Sequence, residues 1–320
     1  LNLDLLKSIY RAAKKFGPEV IYTHQLGSGN YGLILKALLG RPHIYDPHGS
    51  LALELPCLKS LSDTTKKLRV QNEKAILKYS DKIIVPSLEL RNYFSKRYSI
   101  KPEKLVLIKN GVDTNVFRPE PPDLDLKKAL KMPPEALTVG FTLPRIENFP
   151  SNEMALRHFF EIIPAVEKAV KKVKFLILGG GLEKHPPSKN VIYTGFVKDL
   201  SRHINLADVC VAPYPPEAVC GGTRNKVAEY LSCGKPIIAT REGMRGFDDA
   251  IPETHFLLAD NKEDFTDKLI DCLLNTQKAR FIGQNAHQLA GRYDWYHLSE
   301  QLVPVLKSAA QPKLKKNQMQ

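Results

Sequence analysis

Glycine, threonine, lysine and glutamate residues lie close together in the segment GGTRNKVAE, which occupies residues 221–229. Gly221, Gly222 and Thr223 come just before a helical pattern, so we expect them at an exposed helix start, where free backbone N–H groups attract an anion. Lys226 falls on the first helical turn, and Glu229 lies three residues further along the same face. This spacing favours either a site for a phosphate and a hydroxyl-rich group or an ordinary capped helix with a surface ion pair.

The chain is basic, with a formal net charge of +13 in 320 residues. Such a charge is compatible with nucleic acid, anionic lipid or a phosphorylated small molecule as partner. Much of the excess lies in helix-like segments such as residues 8–17 and 64–82, and these charge runs are typical of solvated helix faces. No apolar run reaches the roughly 18 residues of a membrane span, and no signal peptide is visible, so we expect a cytoplasmic protein. Five cysteines without a C-x-x-C pair predict neither a disulfide framework nor a zinc site.

Short apolar strands alternate with loops and amphipathic helices, which predicts an α/β fold built from parallel βαβ units. Four strands are expected in the first part of the chain and six in the second: residues 19–24, 42–46, 82–87, 105–110, 137–142, 173–179, 190–196, 208–214, 236–240 and 255–259. The first of them looks like the middle of a domain, so we expect the first domain to lack its initial strands.

The proline-rich segment 117–136 is interpreted as a linker with one short helix. It would separate a first domain at 1–116 from a second at 137–292. The apolar spacing in residues 293–310 predicts a helix that packs back toward the first domain. A tail at 311–320 would follow it. At the end of the first domain, Asn110 and Gly111 predict a tight turn in which Asn-Gly supplies a positive φ and Asp113 caps.

Four segments together resemble a retaining GT-B glycosyltransferase of the group 1 or GT4 family: residues 109–119, 191–213, 221–230 and 231–240. The match runs from about residue 8 to residue 310, with its motifs in the family's order and spacing. The resemblance implies two Rossmann-like, doubly wound domains that face a cleft, and a nucleotide-diphosphate sugar as donor. It also implies a truncated N-terminus, because the family normally begins with further βα units.

The resemblance assigns roles to the residues of the second domain. Glu229 would hold the ribose hydroxyls, and Lys226 with the Gly222 and Thr223 amides would hold the diphosphate. The base would contact the loop that contains Gly195, Phe196 and Val197. The glycines at 179–181, with Gly180 at their centre, would either let the backbone approach the nucleotide or serve only as the exit of a strand.

Two positions depart from the family pattern. Many members have a second glutamate eight residues before the ribose-binding one, where this chain has Gly221; Glu217 is the nearby acid and the alternative donor contact. Many members also have an arginine directly after the glycine of the first strand of the second domain, where this chain has Phe141. Arg145 is our candidate to take the place of that arginine in neutralising the diphosphate charge. The alternative is that Arg145 is a solvent-exposed loop arginine.

The segment IYDPHGS at residues 44–50 ends a strand of the first domain with Asp46 and His48. The family has a histidine here that faces the donor sugar across the cleft, and His48 matches it. His48 therefore joins Lys226 and Arg145 as a candidate catalytic residue, and His24, after the first strand, is a weaker candidate on the same reasoning.

The implied reaction is sugar transfer to a hydroxyl acceptor with retention, without a metal or cofactor, and with the leaving phosphate taking the acceptor proton. No Asp-x-Asp metal motif lies at a strand end. The acceptor would be a glycan, a lipid-linked compound or a small molecule, and the basic charge allows contact with an anionic membrane at its inner face. No specific nucleic acid is expected. Two alternatives stay open: an inactive nucleotide-binding GT-B protein, and a basic module that binds nucleic acid or a membrane surface.

Overall fold

The computed structural model describes residues 2–57, 61–143, 149–179, 189–259 and 261–311. Contacts among them form two compact units. The described residues of the first unit fall in 2–55, 61–109 and 296–311, and those of the second fall in 56–57 and 110–295. The segment 117–136, with its one short helix, is part of the second unit. Its interpretation as a linker stays a prediction.

Four parallel strands form the sheet of the first unit in the order β1-β2-β3-β4: β1 Ile21–His24, β2 His43–Asp46, β3 Lys82–Val85 and β4 Leu105–Leu107. The helices between and around them are α1 Leu3–Phe16, α2 Gln25–Leu39, α3 Leu51–Glu54, α4 Asp63–Tyr79 and α5 Leu88–Tyr98. His24 and Asp46 end their strands and are paired in register. The two side chains therefore start from neighbouring points on the carboxyl edge of the sheet.

Six parallel strands form the sheet of the second unit: β5 Leu137–Thr142, β6 Val173–Leu178, β7 Val191–Tyr193, β8 Val209–Ala212, β9 Ile237–Ala239 and β10 Leu257–Leu258. Their order is β10-β9-β8-β5-β6-β7, which is the doubly wound order of a Rossmann fold. The helices of this unit are α6 Leu124–Ala129, α7 Pro150–Ala169, α8 Leu200–Ile204, α9 Asn225–Ser232, α10 Lys262–Leu274 and α11 Thr276–Ala290.

The ten predicted strands are all present in the described residues, four in one sheet and six in the other. β5 has its predicted bounds, and each of the other strands is shorter than its apolar run. The run at 190–196, for example, leaves the sheet after Tyr193, because Gly195 adopts a left-handed conformation at φ +65°. Several helices start at a polar residue whose side chain accepts a backbone N–H: Ser62, Ser87, Asp123, Asn261 and Asn275.

Helix α12, Trp295–Ala310, adds a late segment of the chain to the first unit. Leu298 is buried in a cluster with Ile44, Ile84 and Ile108, and further apolar residues of the helix pack against the same cluster. Within the described parts of the chain, no helix combines the length and the apolar character needed to cross a membrane.

Candidate active site

The strand order of the second sheet reverses between β5 and β8. Ligands of doubly wound sheets bind outside the carboxyl ends of the strands at this point. Thr142 is the last residue of β5, and Tyr214 follows β8 by two residues. Helix α9, which carries the lysine and glutamate singled out from the sequence, lies next along the chain.

Lys226 is a buried cation at this switch point. It is 8% exposed, and its Nζ donates hydrogen bonds to the Thr142 carbonyl oxygen at 2.5 Å and to the Tyr214 hydroxyl. Burial, followed by the charge of Arg224, lowers the pKa of Lys226 from 10.5 to about 7. A bound anion would raise this pKa again and hold the lysine in its charged form.

Glu229 lies three residues after Lys226 and has an unsatisfied acceptor. Its Oε2 atom is buried and has no hydrogen-bond partner in the described part of the chain. Burial raises the pKa of Glu229, and the charge of Lys226 offsets part of the rise. A buried acceptor without a donor costs about 1–3 kcal/mol, so Glu229 is suited to accept a hydrogen bond from a ligand.

The expectation that Lys226 belongs to an exposed helix start is wrong. Most of α9 is buried, including Val227, Ala228 and Leu231, because the helix packs against α11 and the end of β5. The Tyr230 hydroxyl accepts a hydrogen bond from the Thr142 N–H at 2.7 Å. A bound ligand would thus meet Lys226 in a desolvated setting, where a charge interaction is stronger than at a surface.

The loop before α9 holds the predicted anion-binding residues. Gly221 and Gly222 are buried, and because the helix begins at Asn225 they precede it instead of forming its first turn. The Thr223 hydroxyl donates to the Asn225 side-chain oxygen at 3.0 Å. Gly246 has φ +92°, and a Cβ at this position would collide with the Thr223 side chain. A glycine is therefore required at 246 for the loop to take this path.

A buried ion-pair network beside this loop was missed by the sequence analysis. Glu242 pairs with Arg224 at 3.1 Å and with Arg245 at 2.7 Å, and it accepts the Cys220 N–H at 2.8 Å. The Arg224 guanidinium lies 3.6 Å from the centre of the Tyr214 ring. The network fixes both ends of the loop. A signal for it was the charged segment REGMR at 241–245, directly after an apolar strand.

A mostly apolar cavity of about 300 Å³ opens at the carboxyl ends of β5 and β6. Its walls include the predicted base-contacting residues Phe196 and Val197, together with Thr142, Phe149, Asn152, Leu178, Gly179 and Leu200. The Gly179 N–H donates to the Gly195 carbonyl oxygen at 3.1 Å, which brings the loops after β6 and β7 together. Phe196 is 87% exposed and free to cover a flat ring by stacking.

Other predicted site residues lie elsewhere or outside the described residues. Glu217 is exposed in the loop after β8. Arg145, Gly180 and Gly181 fall outside the described residues. The roles of all these residues stay predictions.

His48 lies in the first unit, two residues after the end of β2. Its φ of +58° is left-handed, a conformation that is uncommon for residues with a side chain, although histidine adopts it more often than most. The imidazole is 41% exposed, and its Nε2 lies 3.0 Å from Nδ1 of His24.

The predicted turn at Asn110 has a different geometry. Neither Asn110 nor Gly111 is among the described residues with positive φ, so that part of the prediction is wrong. The Asn110 amide instead donates to the hydroxyl of Thr223, 113 residues later in the second unit, at 2.7 Å. Asp113 does cap, because its Oδ1 accepts the Asn115 N–H at 2.9 Å.

Both halves of the chain match models of sugar-transferring enzymes. Residues 140–275 match the model for glycosyl transferases group 1, and residues 1–116 match that for glycosyltransferase family 4. The chain belongs to the group 1 and family 4 glycosyltransferases. It is thus a glycosyltransferase, an enzyme that transfers a sugar.

Relatives and solved structures agree with this family. A D-inositol 3-phosphate glycosyltransferase of Stackebrandtia nassauensis is 24% identical over 314 residues, which cover 92% of this chain and 69% of the relative. The chain thus spans about two thirds of that protein's length. The structure of Anabaena HepE in complex with UDP-glucose has a TM-score of 0.76 at 19% identity, covering 95% of this chain and 82% of HepE.

A third comparison is the sucrose-phosphate synthase from Thermosynechococcus elongatus. Its structure has a TM-score of 0.75 at 20% identity, and the match covers 95% of this chain and 77% of the synthase. These likenesses confirm the α/β, GT-B fold class predicted for the glycosyltransferase.

Replacing Tyr214 of this glycosyltransferase by phenylalanine should lower its stability. The hydroxyl accepts from Lys226 and donates to the Asn152 side-chain oxygen at 2.9 Å, and the variant leaves both partners buried with one bond fewer. We expect a loss of about 1–3 kcal/mol in the free energy of unfolding, measured by urea denaturation.

The matched control is Tyr193→Phe. The Tyr193 hydroxyl is buried without a hydrogen-bond partner in the described residues, so its removal should leave stability unchanged or slightly increased. Equal losses in the two variants would show that the Tyr214 hydroxyl has no special role.

Proposed function

We propose that this glycosyltransferase moves a sugar from a nucleotide-diphosphate sugar to a hydroxyl acceptor with retention at the anomeric carbon. The observation that carries the proposal is the pair Lys226 and Glu229 on α9 at the switch point. One is a buried cation whose pKa is lowered to about 7, and the other has a buried carboxylate oxygen without a donor. A ligand with an anionic group and a hydroxyl group would satisfy both residues.

The anionic group is the diphosphate of the donor. Lys226 would exchange its hydrogen bonds with Thr142 and Tyr214 for phosphate oxygens, and the loop amides of Gly222 and Thr223 would add donors. Transfer develops charge on the departing diphosphate, so a desolvated cation that is already in place stabilises the transition state. The leaving phosphate can itself take the proton of the acceptor hydroxyl, and no step requires a metal ion.

The hydroxyl group belongs to the ribose, and the base would occupy the cavity beside Phe196. Its volume of about 300 Å³ and its apolar walls suit a flat heterocycle. Because HepE is similar in fold and has been solved with UDP-glucose, uridine nucleotides are the first donors to test. The acceptor panel begins with D-inositol 3-phosphate, which is named in the activity of the curated relative. His48 would orient the donor sugar.

The Glu229→Gln variant tests this assignment because it should change affinity and stability in opposite directions. The amide loses a charge-assisted hydrogen bond to the ribose, so nucleotide affinity should fall about ten- to a hundredfold by calorimetric titration. Stability of the free protein should stay equal or rise. Since burial raises the pKa of Glu229 above its usual 4.5, the folded chain holds its proton more tightly, and wild-type stability falls as pH rises above 4.5. The variant lacks this loss.

Glu161→Gln is the control, because Glu161 is an exposed residue that pairs with Lys262 at 3.5 Å. Neither nucleotide affinity nor stability should change measurably. The assignment of Glu229 to the ribose would be refuted by unchanged nucleotide affinity in Glu229→Gln. Nucleotide binding without sugar transfer to any acceptor would instead favour the inactive-binder alternative.

A further inference from the structure

Three side chains with metal-binding atoms meet at the carboxyl edge of the first sheet. His24 ends β1, Asp46 ends β2, and the two are paired in register. His48 follows two residues later in its left-handed conformation, and its ring stacks on that of His24 with 5.1 Å between centres. The backbone therefore holds all three side chains at one point of the sheet edge.

We propose that His24, Asp46 and His48 bind a divalent transition-metal ion of the zinc class. This goes beyond the proposed function, because no step of the transfer uses a metal. His24 Nδ1 lies 3.0 Å from His48 Nε2 and 3.4 Å from Asp46 Oδ2, and one ligand atom from each residue falls within 4.8 Å of the others. Neighbouring ligand atoms of a tetrahedral zinc ion are about 3.3–3.6 Å apart, so small side-chain rotations suffice.

The surroundings also fit a metal site. The Tyr22 hydroxyl donates to Asp46 Oδ2 at 2.8 Å, the kind of outer contact that orients a ligating carboxylate. The Asp46 side chain is 13% exposed, whereas His24 and His48 are 54% and 41% exposed. An ion can therefore reach the imidazoles from solvent and find a carboxylate that is already fixed.

The donor set selects the class of metal. Two imidazole nitrogens and one carboxylate oxygen suit zinc, cobalt, nickel or copper, whereas magnesium and calcium prefer oxygen ligands throughout. Three protein ligands leave at least one position for water. Without a metal, the two imidazoles make a hydrogen bond of 3.0 Å with each other, and metal binding would replace it.

The test uses the 320-residue chain without an affinity tag. Zinc binding is measured by equilibrium dialysis and calorimetry, and cobalt binding by its visible absorption, which is intense only in a tetrahedral site. We expect one ion per chain. Affinity should fall more than about tenfold in His24→Ala, in Asp46→Asn and in His48→Asn, and by a smaller factor in Tyr22→Phe.

His297→Ala is the matched control, since His297 is 63% exposed and lies 3.9 Å from a carboxylate in the same unit. Its zinc affinity should equal that of the wild type, and thermal melts verify that each variant folds. His24 is exposed, so the His24→Ala variant should fold and can test the site even if Asp46→Asn does not fold. The proposal is overturned by a wild-type chain that binds no zinc, or by folded His24→Ala and His48→Asn variants that bind it as tightly as the wild type.

Discussion

Lys226→Met should lower the affinity for nucleoside diphosphates by about ten- to a hundredfold while leaving nucleoside affinity nearly unchanged. The side chain is a buried cation at the switch point, and its Nζ donates hydrogen bonds to the Thr142 carbonyl and the Tyr214 hydroxyl. Methionine keeps much of the volume but removes the charge. Comparing UDP with uridine by calorimetry separates loss of the phosphate contact from damage to the base cavity.

The same lysine should make nucleotide binding depend on pH. Its pKa is about 7 in the folded free chain against 10.5 ordinarily. Between these pH values the folded chain therefore binds fewer protons than the unfolded chain. The contribution of Lys226 to the free energy of unfolding rises with pH across that range. Diphosphate binding raises the pKa again. Above pH 7 binding must then take up a proton, and affinity should fall by up to about tenfold per pH unit. This slope should be absent in Lys226→Met.

Lys235→Met provides the control for these measurements. Lys235 is a partly buried lysine whose pKa is also lowered by burial, but its Nζ donates to the carbonyl oxygen of Asn205, which is not one of the predicted site residues, at 3.0 Å. Its variant should retain the pH slope of nucleotide binding even if it is less stable. A Lys226→Met variant with wild-type UDP affinity and slope would remove Lys226 from the diphosphate site.

His48→Asn should reduce turnover by about ten- to a hundredfold and leave the nucleotide dissociation constant nearly unchanged. The nucleotide-binding candidates Lys226 and Glu229 belong to the second unit and His48 to the first, so the two properties are separable. Asparagine adopts the left-handed backbone at φ +58° more readily than alanine does, so the variant removes the imidazole with little added strain.

Turnover and affinity of this variant should be measured with a metal chelator present, so that any ion at His24, Asp46 and His48 cannot contribute. His24→Ala, assayed in parallel, shows whether an effect at His48 acts through the 3.0 Å contact between the two rings. Equal turnover in the wild type and His48→Asn would make His48 a structural residue.

The strand pattern of this chain was predictable because each strand is a short apolar run between helices, and burial of both faces of a parallel sheet requires such runs. β5 shows this best, since Leu137–Thr142 is buried from Thr138 onward and pairs along its full length with β6. The family could also be predicted, because its motifs occur in order along one chain. Local sequence therefore determined the elements and their sequence in the fold.

The environment of the site was not predictable, because it depends on residues distant in the sequence. Lys226 is buried against the end of β5, at a residue 84 positions earlier in the sequence. Helical periodicity could predict which face of α9 carries Lys226, but not which element packs against that face. The same reason explains Asn110, whose amide contacts Thr223, 113 residues later. Arg224 and Glu242 form a buried pair whose members are 18 residues apart and share no local pattern.

Helix α12 has a consequence for the order in which the chain can fold. The apolar cluster of Ile44, Ile84 and Ile108 is closed by Leu298 and its helix, which follow the whole second unit in the sequence. During synthesis the first unit leaves the ribosome first, yet it cannot bury this surface until the second unit has been made. Loop closure over nearly two hundred residues makes this a slow, late contact. The apolar surface of the first unit is therefore exposed to chaperones and to aggregation for longer than that of the second unit. Helix α12 can cover this surface only after the second unit, which precedes it in the sequence, has been made.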